Sequence, residues 1–304
     1  MKQTNHIGYL LGIIASALYG LNPLFALPLY ADGMDAWSVL LFRYILSIPL
    51  IAVIILCQHG SFRITRSETW QLAGLGFLMA ISSLGLYIAF SVMDAGIAST
   101  ILFIYPILTA VIMAWIFHEH LHWIVVACLA VATIGVVILA KGDGVANVNI
   151  EGVLLAVLSA VTYSLYFVFM KKSSLSKMAS TKVTFYIMIF GSLLLLVGVG
   201  IWGDITAPQG LHWGYTLGAA LFPTAISLIF TAMAIQRIGP TETAILGALE
   251  PTTAVIIGVT VFGEQLSMHS IMGILLIIVA VTVVVARNKI LAFARKVSRK
   301  VKCH

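Results

Sequence analysis

The chain is divided by runs that carry no formal charge. No Asp, Glu, Lys or Arg occurs in 3–31, 44–62, 69–93, 95–118, 120–140, 152–170, 183–203, 205–236 or 265–286. A helix crossing a bilayer needs about 20 mostly apolar residues, because the hydrocarbon core is about 30 Å thick. In that solvent each backbone N–H and C=O must find its partner within the protein, and the helix provides it. Ten spans fit: 7–29, 37–57, 70–92, 97–117, 122–140, 150–170, 182–202, 213–235, 241–262 and 267–286. Only 9% of the 304 residues are charged, against about 25% in a soluble domain. That excludes a fold surrounded by water. The expected fold class is an all-α integral membrane protein.

All six tryptophans fall near span ends (Trp37, Trp70, Trp115, Trp123, Trp202, Trp213), as an interfacial belt requires. Lysine and arginine set the orientation. With the N-terminus inside, fifteen of the seventeen lie in cytoplasmic segments. Lys141 alone is external and Arg43 lies within a span. The expected topology is multi-pass, with both termini cytoplasmic, in the plasma membrane (the inner membrane of a bacterium). The first span is too long for a signal-peptide core and lacks a small-residue cleavage site, so it reads as an uncleaved helix. Cys57, Cys128 and Cys303 show no disulfide or metal spacing. The net charge of +6 follows from the loop bias and the tail, so it does not call for nucleic acid. In 287–304, Ile290, Phe293, Ala294, Val297 and Val301 recur at helical spacing among basic residues. That pattern fits a helix on an anionic leaflet, and equally a solvated basic tail. The partners implied are a small-molecule substrate and the lipid bilayer, with no cofactor. Oligomeric state is not legible.

The chain also repeats itself. Gly8, Gly12, Ser16 and Gly20 are matched 144 residues later by Gly152, Ala156, Ala160 and Ser164, and Tyr19 by Tyr163. Small residues every fourth position make a face that another helix can approach closely. "AIS" at 80–82 returns at 225–227. "YPILTAVIMAWIFHEHL", 105–121, is matched by "EPTTAVIIGVTVFGEQL", 250–266. The expected divisions are 1–145, 146–286 and the tail 287–304. Each half holds five spans, an odd number, so the two halves run through the membrane in opposite senses. Inverted repeats are a recurring transporter architecture, with the substrate near the midplane between them. Proline removes a helix hydrogen bond and clashes with the preceding turn. Pro23, Pro106 and Pro251 are therefore the expected helix breaks.

On these residues the chain resembles the EamA-type transporters of the drug/metabolite transporter superfamily. The resemblance covers 7–286 as two five-helix units. It rests on the paired proline-to-turn segments and on Arg43 in "LLFRYIL". It implies efflux or exchange of small polar metabolites by alternating access, with amino acid transport as the first expectation.

Charge inside a span is costly, about 2.5–3.5 kcal/mol at the centre on insertion scales. Arg43 and Glu250 are therefore candidates for substrate binding, Arg43 for a carboxylate and Glu250 for an amino group or a coupling proton. An internal ion pair, or Arg43 reaching to the interface, is the plainer alternative. Tyr19, Asn22, Ser82, Tyr87, Tyr105, Tyr163 and Ser227 complete the expected lining, although helix packing alone can satisfy each of them.

Two other classes compete. "HEHLH", 118–122, holds H-E-x-x-H. On a helix, His118 and His122 would share a zinc ion with Glu119 as base, as in a metalloprotease. The second copy of this turn, "FGEQL", has no histidine, and the nearest acidic third ligand, Asp143, falls across span 5. A short turn in which Glu119 and Glu264 brace the next helix is the expected structure. No G-x-S-x-G is present for a serine enzyme. A non-transporting receptor or scaffold would need neither a cavity nor a repeat.

Overall fold

The computed structural model describes residues 6–93, 95–119, 121–140, 149–202, 205–261, 268–269 and 271–283. The basic tail, Asp143, Cys303 and the second turn with Glu264 lie outside these. Every described α-helix follows an expected span. The first is broken into α1 (His6–Tyr19) and α2 (Asn22–Ala31). It is followed by α3 (Ala36–Cys57) and α4 (Arg66–Val92), then by α5 (Ala95–Leu102) and α6 (Tyr105–Trp115), which share the fourth span, and by α7 (Trp123–Ala140). The second set has α8 (Ile150–Lys172) and α9 (Ser180–Trp202). The eighth span joins α10 (His212–Ala219) to α11 (Ser227–Ile238) through a π-helical stretch, Ala220–Ile226. The ninth is broken into α12 (Pro240–Leu246) and α13 (Leu249–Val261). The last is α14 (Ile271–Val283). Among the described residues, seven helical segments are long and apolar enough to cross a membrane, and three shorter helices are apolar. Among the described residues no strand occurs.

Polar caps start the long helices. Asp35 accepts from Ser38 N at 2.6 Å and opens α3. Thr65 and Glu68 form a reciprocal capping box at the start of α4. Asn149 caps α8 through Glu151 N at 2.9 Å. Each satisfies a donor that a helix start leaves without a partner. Lys171 and Lys172 close α8, and Arg237 closes α11, where a cation suits the helix dipole.

The two small-residue faces decide the packing. Gly8, Gly12 and Ser16 are buried on α1, which packs along α11 of the other half. Gly152, Ala156 and Ala160 are buried on α8, which packs along α4. The first span of each half thus lies against the third span of the other. At Gly85 of α4 a Cβ would lie 2.9 Å from the Leu155 carbonyl oxygen, so the backbones touch there. The contact is also polar. Ser82 Oγ donates to Ser159 O at 3.1 Å, and Ser227 Oγ donates to Ala15 O at 2.9 Å. Outward, Trp115, Trp123, Leu56 and Val197 are exposed, as a lipid-facing surface requires. Trp37 instead turns inward onto Gly198, where a Cβ would lie 2.0 Å from its ring.

Candidate substrate site

Three helix breaks meet at one cavity. Each begins a new half-helix at an X-Pro pair: Asn22-Pro23, Tyr105-Pro106 and Glu250-Pro251. Proline suits a helix start, where its missing N–H is not needed. Asn22, Tyr105 and Glu250 all line the cavity, together with Tyr19, Pro23 and Pro251. The N-terminal ends of α2, α6 and α13 therefore converge, and their dipoles favour a negative group there. The cavity is narrow, with about 40 Å³ of room for water centres. That holds only a few waters.

Close approach at the breaks depends on glycine. A Cβ on Gly20 would lie 2.5 Å from Glu250 O. A Cβ on Gly247 would lie 1.7 Å from the Tyr105 hydroxyl. That hydroxyl donates to Ala244 O at 3.2 Å, in the last turn of α12. Tyr105 and Glu250 share the cavity wall. A residue of the first half thus holds the broken ninth span of the second.

Arg43 does not line the cavity. It sits one bond behind it, fully buried. Its Nη1 donates to Asn22 Oδ1 at 2.7 Å and to the Tyr87 hydroxyl at 2.5 Å, and its Nε donates to Thr224 Oγ1. The Tyr87 hydroxyl donates in turn to Asn22 Oδ1 at 3.0 Å. The rings of Tyr87 and Tyr19 face the guanidinium at 5.4 and 5.9 Å. Every one of these partners is neutral, and Nη2 has none among the described residues. The two ion pairs found there lie elsewhere, so Arg43 and Glu250 are not paired. Nor does Arg43 reach an interface. With Oδ1 of Asn22 taken twice, the amide N–H groups are what Asn22 has left for the cavity.

Thr224 was not legible as a site residue. It belongs to the π-helical stretch around Pro223, and one-turn π segments often mark functional sites. The proline within an apolar span was the available signal. The remaining expected lining divides. Tyr163 lies beneath the cavity in an aromatic floor, 4.7 Å from Tyr105 and 4.9 Å from Phe167 by ring centroids. Ser82 and Ser227 are spent on helix packing. The polar hub is also one-sided. The positions equivalent to Arg43 in the second half are Ile187 and Met188, both buried.

The described residues of the H-E-x-x-H segment, 118, 119, 121 and 122, lie outside any helix. Its His118 takes a left-handed φ of 50°. Glu119 pairs with Lys172 of α8 at 2.7 Å, so it braces the other half and does not cap α7. His122 does the capping, accepting from Ile124 N at 3.3 Å. Among the described residues no group of three His, Cys, Asp or Glu is placed to hold a metal.

The model of the EamA-like transporter family matches residues 6–141 and again 150–286. The chain belongs to the EamA-like transporter family. Two relatives match it over more than nine-tenths of both chains. It is 27% identical to an uncharacterized transporter of Synechocystis, over 91% of this chain and 92% of that one. It is 24% identical to an uncharacterized transporter of Clostridium kluyveri, over 93% and 94%. One crystal structure superposes with a TM-score of 0.78 at 17% identity, over 92% of this chain and 98% of its own. That likeness speaks for the fold. The EamA repeat, matched twice, fits a ten-helix inverted arrangement and makes the chain a multi-pass membrane transporter.

Proposed function

We propose that this EamA-family chain is a secondary transporter that exports or exchanges small polar metabolites, amino acids first, by alternating access around the three-break cavity. The basic loops face the cytoplasm in this reading, and the membrane is the plasma membrane. The repeats divide near residue 145. The observation that carries it is the buried Arg43 guanidinium, held by neutral groups one hydrogen bond behind the cavity-lining Asn22, with its Nη2 unpartnered among the described residues. A buried charge without a counter-charge is costly. A substrate carboxylate supplies that charge, received by the Asn22 amide and the converging helix N-termini with Arg43 behind them. Glu250, at the cavity wall, receives an amino group or carries a coupling proton.

The test is flux into proteoliposomes. Wild-type protein is expected to exchange amino acids, and Arg43→Gln to lose that flux while keeping its fold by thermal melting. Unchanged flux in Arg43→Gln removes the anchoring role. Flux of wild type indifferent to a pH gradient removes proton coupling, and Glu250→Gln separates the two roles of the carboxyl. It abolishes the gradient response alone if Glu250 carries a proton, and raises KM if it binds an amine.

A further inference from the structure

A second cavity lies at the end of the molecule that carries Arg63, Arg66, Lys177 and Lys182. It is far larger than the central one, about 460 Å³. One wall comes from the first half, from Ile55 through Gln58 and Ser61 to Glu68. The other comes from the second half, from Ser174 through Lys177 to Lys182 at the start of α9.

The wall is rich in donors and poor in free acceptors. Lys177 makes no ion pair among the described residues. Lys182 donates to the backbone oxygen of Arg63 and not to a carboxylate, which leaves two of its three N–H groups. Thr181 donates to Gln58 Oε1 at 3.3 Å, so the Gln58 amide has its N–H groups left. The acidic lining residue, Glu68, accepts from Thr65 N at 2.7 Å in the α4 cap, and its charge is partly offset by Lys182 on the facing wall. The N-terminal end of the 23-residue α9 adds its dipole to the same wall. Trp70, two residues after the cleft-lining Glu68 in α4, is 73% exposed, as a tryptophan at the membrane interface is.

We propose that this cleft binds a phosphate-bearing anion, with the headgroup of an anionic phospholipid as the source that its depth favours. Basic pockets between helices at a membrane face take such headgroups. A headgroup here touches both halves at once. It braces the end already held by the Tyr186 hydroxyl on Phe62 O, at 2.5 Å, and by Ser174 on Gln71, at 2.9 Å. The site is separate from the central cavity and independent of what is transported.

The test uses the full chain purified in detergent and reads thermal melting. Phosphatidylglycerol, phosphatidylcholine and inorganic phosphate are added in turn to wild type and to Lys177→Gln/Lys182→Gln. Phosphatidylglycerol is expected to raise the melting temperature of wild type more than phosphatidylcholine does. Its half-saturating concentration is expected to rise roughly 30-fold in the double variant. Lys177→Arg/Lys182→Arg keeps both charges and is expected to keep the response. The basic tail is common to all of these proteins, so the difference between them reports the cleft. Phosphate acting as strongly as phosphatidylglycerol assigns the site to a free anion, and a weaker effect assigns it to the lipid. An equal phosphatidylglycerol response in wild type and the double Gln variant overturns the proposal, as does a wild type indifferent to both probes. Should the double variant fail to fold, Lys177→Gln alone, at an exposed side chain, gives the same comparison.

Discussion

Ser82 on α4 and Ser227 on α11 make the same hydrogen bond in opposite halves. Each hydroxyl donates to a carbonyl on the first span of the other half, Ser159 O at 3.1 Å and Ala15 O at 2.9 Å. Residues 82 and 227 correspond in the repeat, and so do 15 and 159. Interhelical bonds of this kind contribute about 0.6 kcal/mol each in membrane proteins. Ser82→Ala and Ser227→Ala are therefore expected to lower unfolding stability by similar small amounts, and additively, because the sites share no partner. Neither should change substrate KM. A large cost at one site alone would show that the two bonds are not equivalent.

The Tyr105 hydroxyl and Gly247 occupy adjoining space, because a Cβ on Gly247 would sit 1.7 Å from that oxygen. Gly247→Ala is expected to destabilise strongly. Tyr105→Phe removes the oxygen and leaves the ring, so it should recover part of that loss. The double-mutant cycle should give a coupling of about 0.5–3 kcal/mol. Strict additivity in the thermal melts would mean that the ninth span relaxes away from Tyr105.

Asn22→Asp places a carboxylate where Arg43 Nη1 now meets an amide oxygen at 2.7 Å. The guanidinium gains the counter-charge it lacks. Stability should hold or rise, while transport falls roughly 10- to 100-fold, the worth of a lost hydrogen bond to a charged group. Thermal melting and flux measured on the same preparation would check both signs. A variant that transports normally would show that the anion is recognised without Arg43.

Glu68 is held below the usual carboxylate range by the Thr65 backbone N–H and hydroxyl at its helix start. A lowered pKa in the folded state means the ionised cap stabilises above the unfolded pKa. That contribution is lost as pH falls through the folded pKa. Glu68→Gln is therefore expected to melt lower than wild type at neutral pH, with the gap closing in acid. A gap that widened in acid would contradict the cap.

The spans and the breaks were legible because their causes are local. A charge-free run of 20 residues has one inexpensive conformation in lipid, and proline at 23, 106 or 251 forbids one particular bond. The lining was only half legible. Asn22, Tyr105 and Glu250 line the cavity, and each sits directly before one of those prolines, although Glu250 was singled out by its charge and Tyr105 only as an aromatic in a span. Ser82 and Ser227 were expected at the cavity and are spent between helices, since a serine in an apolar span does not announce which face it occupies. Thr224 went unseen because its role depends on a π turn that places it opposite Arg43, some 180 residues away in sequence. Glu119 was expected to brace the helix that follows it and pairs instead with Lys172 of α8, a choice made by tertiary packing.

One copy of the five-helix unit holds the buried cation, and the other has Ile187 and Met188 at the matching places. A duplicated unit can divide its labour. The first copy is bound by chemistry at these positions, and the second only by volume. The same substitution, made at equivalent depths in the two copies, would be tolerated in one and ruinous in the other. A library of single variants would draw that line along the chain, with the boundary near the middle, and would recover the duplication from fitness alone.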